Sequence, residues 1–88
     1  MISKTEKETI LRIAKNYSLQ HLYLFGSATL EQNSYNDIDL AVEGLNSSDF
    51  FSFYGDLLFS LSLPVDLIDL DNKSSFTKII QQDGLILV

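Results

Sequence analysis

The sequence predicts an α/β domain, a small mixed β-sheet with helices packed mainly on one side. Three observations carry that expectation. Apolar residues at helical spacing alternate with short β-prone runs along the whole chain. Two aspartate-bearing strands are separated by one helix of suitable length for a parallel crossover. The 88 residues are 45% hydrophobic and 11% aromatic, enough for one core, and no repeat or Pro/Gly-rich linker divides them. Residues 1–88 therefore read as one domain.

The elements follow in order. Ser3-Lys4-Thr5-Glu6 has the form of a capping box, and Thr5 to Glu8 repeats its spacing. Behind it Ile10, Ile13, Ala14 and Tyr17 share a helical face with Leu11 at its edge, which predicts a helix over about 4–16. His21 to Phe25 is a first strand, broken by Gly26-Ser27. A short helix is expected over Ala28 to Gln32 and a loop over Asn33 to Asn36. Asp37 to Glu43 alternates as a second strand, with Ile38, Leu40 and Val42 on one side and Asp37, Asp39 and Ala41 on the other. Ser47 or Ser48 is the expected cap of the next helix, with Asp49 in its first turn. Phe50, Phe53, Tyr54, Leu57, Leu58 and Leu61 give that helix a wide apolar face. Pro64 opens a third strand over Val65 to Leu70. Ser74 or Ser75 caps a last helix that stops at Gly84, and Leu85 to Val88 forms a short final strand.

Composition excludes several chemistries. There is no cysteine, so disulfides, thiolate nucleophiles and cysteine-held metals are absent, and the single His21 rules out a two-histidine metal motif. The apolar runs are shorter than a membrane span, and the charged N-terminus does not resemble a signal peptide, so the expectation is a soluble cytoplasmic protein with no membrane partner. Twelve acidic and six basic residues give a net charge of −6, and no Lys or Arg lies between Asn16 and Asn72. That acidic centre argues against nucleic acid as a main substrate and suits the binding of cations.

The informative segment is Gly26-Ser27, nine residues, then Asp37-Ile38-Asp39. Carboxylates two apart on a strand project to one face, where their charges repel unless a cation lies between them. The plain alternative is an acidic, solvent-exposed strand face. Asp66 weighs against it, because it begins an apolar strand, where an unpaired charge is costly. Parallel neighbours start together, so Asp66 is expected beside Asp37 and Asp39. Of its rivals, Asp69 lies on the opposite strand face and Asp71 is past the apolar run. Three convergent carboxylates suit two Mg²⁺ ions. If the first two strands are antiparallel, the Gly26-Ser27 turn sits beside these acids. There glycine admits a phosphate closely, and the serine hydroxyl and the following helix start offer donors. The plain reading of Gly-Ser alone is a tight turn.

These residues together resemble the minimal nucleotidyltransferases of the DNA polymerase β-like superfamily, whose signature is Gly-Ser, a spacer of this length, Asp-x-Asp, and a later Asp in a V-D-L strand. The chain supplies Gly26-Ser27, Asp37-Ile38-Asp39-Leu40 and Val65-Asp66-Leu67. The resemblance spans most of the chain and implies an αβαβαβ core. It implies Mg²⁺-dependent transfer of a nucleoside monophosphate, AMP from ATP, to an acceptor hydroxyl with loss of pyrophosphate. Asp37 and Asp39 would hold both ions. Asp66 would ligate the catalytic ion and help activate the acceptor, and Gly26 and Ser27 would hold the triphosphate. Relatives of this size pair with helical HEPN-domain proteins as antitoxin and RNase toxin, and in some pairs adenylylate a tyrosine of the partner.

One departure stands out. Many relatives carry arginines after Gly-Ser, where this chain has Ala28-Thr29-Leu30-Glu31-Gln32. Lys73 or Lys78 are the candidate substitutes. The alternative reading is a catalytically weak or inactive module that neutralises its partner by contact. A third is a metal-binding regulatory domain.

His21 reads as a surface residue at a strand start rather than a catalytic base. Tyr35 reads as amphipathic surface, with base stacking as the sharper option. Phe50, Phe51, Phe53 and Phe59 exceed what one helix face can hide, so the surplus is an expected contact surface for a partner or a second copy of the chain. Apart from Leu85 to Val88 no segment is left to cover the aspartate face, so either that face, with Ile68 exposed on it, or the surplus aromatics is expected to contact another chain.

Overall fold

The computed structural model describes residues 2–30, 35–72 and 75–88, with the side chain of Ser27 also left out. Helix α1 (Lys4–Ala14) is followed by strand β1 (His21–Phe25), a 3₁₀ turn (Gly26–Thr29) and strand β2 (Ile38–Glu43). A second 3₁₀ turn (Ser47–Asp49) leads into helix α2 (Phe50–Ser60), then β3 (Val65–Asp69), α3 (Ser75–Asp83) and β4 (Leu85–Ile86). The sheet order is β3-β2-β1-β4. β1 pairs antiparallel with both β2 and β4, and β2 pairs parallel with β3, as the α2 crossover requires.

The capping box at Ser3 forms in full. The Glu6 amide donates to Ser3 Oγ at 3.1 Å, and the Ser3 amide donates to Glu6 Oε1 at 3.2 Å. The main core lies between the sheet and the α1–α2 pair. Leu22, Leu24, Ile38, Leu40 and Val42 point into it from the sheet and are fully buried. Ile10 from α1 and Phe53 from α2 meet them there, and Tyr17 stacks edge-on against Phe53 at 5.2 Å. Each such side chain contributes about 1.5–3 kcal/mol by leaving water.

Several expectations need correction. The opposite face of the sheet is not bare. α3 packs on it, and Ile80 of α3 joins Tyr23, Ala41 and Leu70 in a second apolar cluster, with Phe25 and Ile68 against it. Ile68 is therefore half-buried rather than exposed. The reason is topological. The β2→β3 and β3→β4 connections run in opposite directions across the sheet, so crossovers of one hand place their helices on opposite faces. Asn46, not Ser47 or Ser48, caps the turn before α2, accepting from the Ser48 amide at 3.2 Å. Leu58 stands outside the buried face of α2.

The first helix stops at Ala14, two residues early, and β3 stops one residue short of Leu70. The short helix expected over Ala28 to Gln32 is instead the 3₁₀ turn of Gly26–Thr29. Glu31, Gln32, Asn33 and Ser34, with the alternative cap Ser74, lie outside the described residues. Gly84 does end α3, but without a left-handed backbone. A Cβ there would stand 2.7 Å from the Ile80 carbonyl oxygen and 3.4 Å from that of Leu24, so glycine lets the helix end close onto β1.

Candidate active site

The candidate site lies where β1 ends and β2 and β3 begin. The two-residue strand period puts Asp39 on the α3 side of the sheet, away from Ile38 and Leu40, and Asp37, expected as the first residue of this strand, stands just before it. Parallel register then sets Asp66 directly beside Asp39. One carboxylate oxygen from each of Asp37, Asp39 and Asp66 lies within 4.8 Å of the other two. Among the described residues this is the only group of three potential metal ligands. Asp37 and Asp39 are half-buried, while Asp66 is exposed. Burial first, then the charges of Asp37 and Asp66 and a hydrogen bond with Asp66, push the Asp39 carboxyl above its ordinary range.

The rivals of Asp66 serve other ends. Asp69 pairs in register with Val42 at the far end of β2, and its Oδ1 accepts from the Asp71 amide at 2.9 Å. Asp71 in turn accepts from the Gly44 amide at 3.0 Å. Asp69 thus shapes the turn after β3, and Asp71 holds that turn against the turn after β2, remote from the three acids.

Antiparallel pairing of β1 and β2 sets Phe25 opposite Asp39, which brings the Gly26 turn against the carboxylates. Gly26 has φ +75°, in the left-handed region. A Cβ on it would lie 3.2 Å from Asp39 Cγ and closer still to Oδ2. Glycine here both permits the backbone turn and leaves room for Asp39. Ala28 is buried in the main core, its carbonyl accepts from the Ile2 amide at 2.7 Å, and Thr29 Oγ1 donates to the Gly26 carbonyl at 2.7 Å. The turn is thus fixed from three sides. It is four residues of 3₁₀ helix, so the donors expected of it are single amides rather than a helix dipole. The Ser27 side chain and Lys73 lie outside what is described, and Lys78 is exposed on α3. Beside the turn a cavity of about 240 Å³ is lined by Phe25, Gly26, Thr29, Phe76, Ile79 and Ile80.

One positioning contact is not legible in the sequence. The Tyr35 hydroxyl donates to the Glu6 carboxylate and accepts from the Ser3 amide at 3.1 Å. The residue two before Asp37 is thereby tied to the capping box of α1. The box itself signalled Glu6, but nothing local linked it to Tyr35. His21 is exposed at the start of β1, its Nδ1 3.3 Å from the Val88 carbonyl, and takes no part in the site.

The carboxylate set and the glycine turn suit a divalent cation chemically. The donors are all oxygen and they converge, and burial together with the charges of its two neighbours raises the pKa of Asp39.

The family model for polymerase beta nucleotidyltransferases matches residues 8–88. Curated protein sequences give no match. Solved structures do. The chain is similar to the toxin–antitoxin MntA–HepT (25% identity, TM-score 0.73, covering 98% of this chain and 72% of that one). It is similar to a toxin–antitoxin structure with AMP-PNP (30% identity, TM-score 0.70, covering 93% and 72%). It also resembles a complex of the tri-AMPylated Shewanella oneidensis HEPN toxin with its MNT antitoxin (27% identity, TM-score 0.75, covering 99% and 72%). With nearly its whole length matched by the family model, this chain belongs to the polymerase β nucleotidyltransferase family, among that family's minimal, MNT-type members.

Proposed function

We propose that residues 1–88 form a Mg²⁺-dependent nucleotidyltransferase domain that transfers AMP from ATP to a hydroxyl of a HEPN-type protein partner, as the antitoxin of a toxin–antitoxin pair. The observation that carries this reading is the convergence of Asp37, Asp39 and Asp66 beside the Gly26 turn. The similar structures support it, since one holds AMP-PNP and another a tri-AMPylated HEPN toxin.

Two Mg²⁺ ions held by Asp37, Asp39 and Asp66 would offset the triphosphate charge and polarise the reacting oxygens. The chain's own residues do the rest. Gly26, lacking a side chain, lets the turn approach the triphosphate, with Ser27 following it as in the family's Gly-Ser signature. Asp66 is the exposed member of the three, so the acceptor hydroxyl reaches it from solvent. As the acceptor oxygen bonds to the α-phosphorus, the bond from that phosphorus to the β-phosphate bridging oxygen breaks. Pyrophosphate leaves, and Asp66 draws off the acceptor proton.

A second reading keeps the fold and drops the chemistry. Ala28-Thr29-Leu30, in and just after the turn, brings no cation toward the triphosphate. Incubation with labelled ATP, Mg²⁺ and the HEPN-type partner separates the two. An adenylylating enzyme labels the partner, and the Asp37→Asn, Asp39→Asn double variant does not. If the wild type leaves the partner unlabelled while both proteins protect cells equally, neutralisation is by contact.

A further inference from the structure

Helix α2 carries a face that the fold does not use. Phe53 and Leu57 are buried, whereas Phe51 is 81% and Phe59 94% exposed. Positions 51, 55 and 59 fall one turn apart along one line of the helix, so the two phenylalanines flank Gly55. No atom lies within 4 Å of where a Gly55 Cβ would stand, and its φ is not left-handed. Neither crowding nor backbone conformation requires glycine there, and mid-helix it weakens α2 relative to alanine. A single exposed phenylalanine is ordinary. Two of them, walling a notch that lowers helix stability without serving the fold, point outward to another chain. Such a notch admits an inserted side chain between aromatic walls, as at the centre of protein interfaces.

Charge selects the occupant. Asp49 and Asp56, seven residues apart, run along one flank of this line. Asp56 already accepts the Tyr17 hydroxyl at 2.6 Å, which fixes that flank. No Lys or Arg lies between Asn16 and Asn72, so α2 carries no basic group of its own, and Lys4, Lys7, Arg12 and Lys15 belong to the neighbouring α1 and the residue after it. A second copy of the chain would bring the same acidic flank and another net charge of −6. A partner with lysines or arginines around an apolar knob meets no such repulsion.

We propose that the Phe51–Gly55–Phe59 face of α2 docks the partner, a bulky apolar side chain entering the notch over Gly55 and basic residues of the partner lying against Asp49 and Asp56. The proposal rests on the reading of the chain as the partner of a HEPN-type protein. α2 and the three aspartates lie on opposite sides of the sheet. The end of α2 leads into the edge strand β3, which carries Asp66, so a partner seated on α2 brings its acceptor hydroxyl round that edge, and the residues that set affinity differ from those that do the chemistry.

Titration calorimetry with the purified HEPN-type partner tests this. Gly55→Leu raises the melting temperature of the free chain by several degrees through helix propensity, yet lowers affinity at least tenfold by filling the notch. Phe59→Ser leaves the melting temperature within a few degrees and lowers affinity to the same extent. The Asp37→Asn, Asp39→Asn variant binds as the wild type does. If Gly55→Leu and Phe59→Ser also bind like wild type, the docking face is overturned while the partner reading stands. If the wild type does not bind the HEPN protein, the partner reading fails and this proposal falls with it. A sedimenting dimer of the chain alone that Phe59→Ser dissolves assigns the face to a second copy and overturns the proposal.

Discussion

Replacing Asp39 by Asn changes the charge of the site with little change of shape, so its effect on stability has a calculable sign. Two unit charges 4.8 Å apart repel by about 0.9 kcal/mol at the dielectric of water and by about 3.5 kcal/mol at an effective value of 20. Asp66 is exposed and the other two acids are half in water, so the lower figure governs. Asp39→Asn relieves two such pairs, about 1.8 kcal/mol before salt screening cuts it by roughly half, so the free protein gains about 1 kcal/mol, or about 4–8 °C in Tm for a domain of this size.

The pH dependence follows from the burial of Asp39 and, after it, from the same charges. The Asp39 carboxyl titrates above its ordinary value in the folded chain, so the folded state holds its proton more tightly than the unfolded chain does. Its contribution to stability is full below the ordinary carboxylate pKa and is lost as pH rises through the raised one. The wild type should lose stability over that interval, and Asp39→Asn should lose less. Mg²⁺ with ATP reverses the ranking. A ligand at one hundred times its dissociation constant stabilises the wild type by about 2.7 kcal/mol, and the variant, lacking a ligand group, gains little. Thermal melts from pH 4 to 8, with and without Mg²⁺ and ATP, read both effects. A variant that melts below the wild type in the absence of metal would refute the repulsion argument. A wild type indifferent to Mg²⁺ and ATP would refute the metal site.

Three further outcomes are expected. Gly26→Ala combines a left-handed backbone with a Cβ pressed on Asp39, and should destabilise the chain by about 1–3 kcal/mol in urea melts while weakening the Mg²⁺-dependent thermal shift. Ile68→Lys places a charge against the α3 cluster and should destabilise the fold by about 1–3 kcal/mol in the same melts, where an uncovered face would have tolerated it. The Tyr17 phenol, held by its hydrogen bond to Asp56, is pushed up to about 12. Its stabilisation is present below pH 10 and is lost between about pH 10 and 12, so alkaline melts of Tyr17→Phe should fall less steeply there than those of the wild type.

What the sequence by itself determined is what local period and local chemistry determine. Asp37 and Asp39 share a face because a strand repeats every two residues. Ser3 and Glu6 cap a helix because a box of four residues closes on itself. Gly26 marks a turn because few other residues accept its backbone angles. The choice of Asp66 over Asp69 and Asp71 needed one further step, parallel pairing, and the helix between the two strands supplied it.

The rest was decided by partners far away in the chain. His21-Leu22-Tyr23-Leu24-Phe25 is apolar on both sides, so no alternation says which set meets the main core. The structure gives that place to Leu22 and Leu24, and puts Tyr23 and Phe25 under α3. The covering of the aspartate face followed from β4 crossing to the far edge of the sheet, a matter of handedness over the whole fold. The tie from Tyr35 to Glu6 spans 29 positions, a pairing of side chains that no local period encodes.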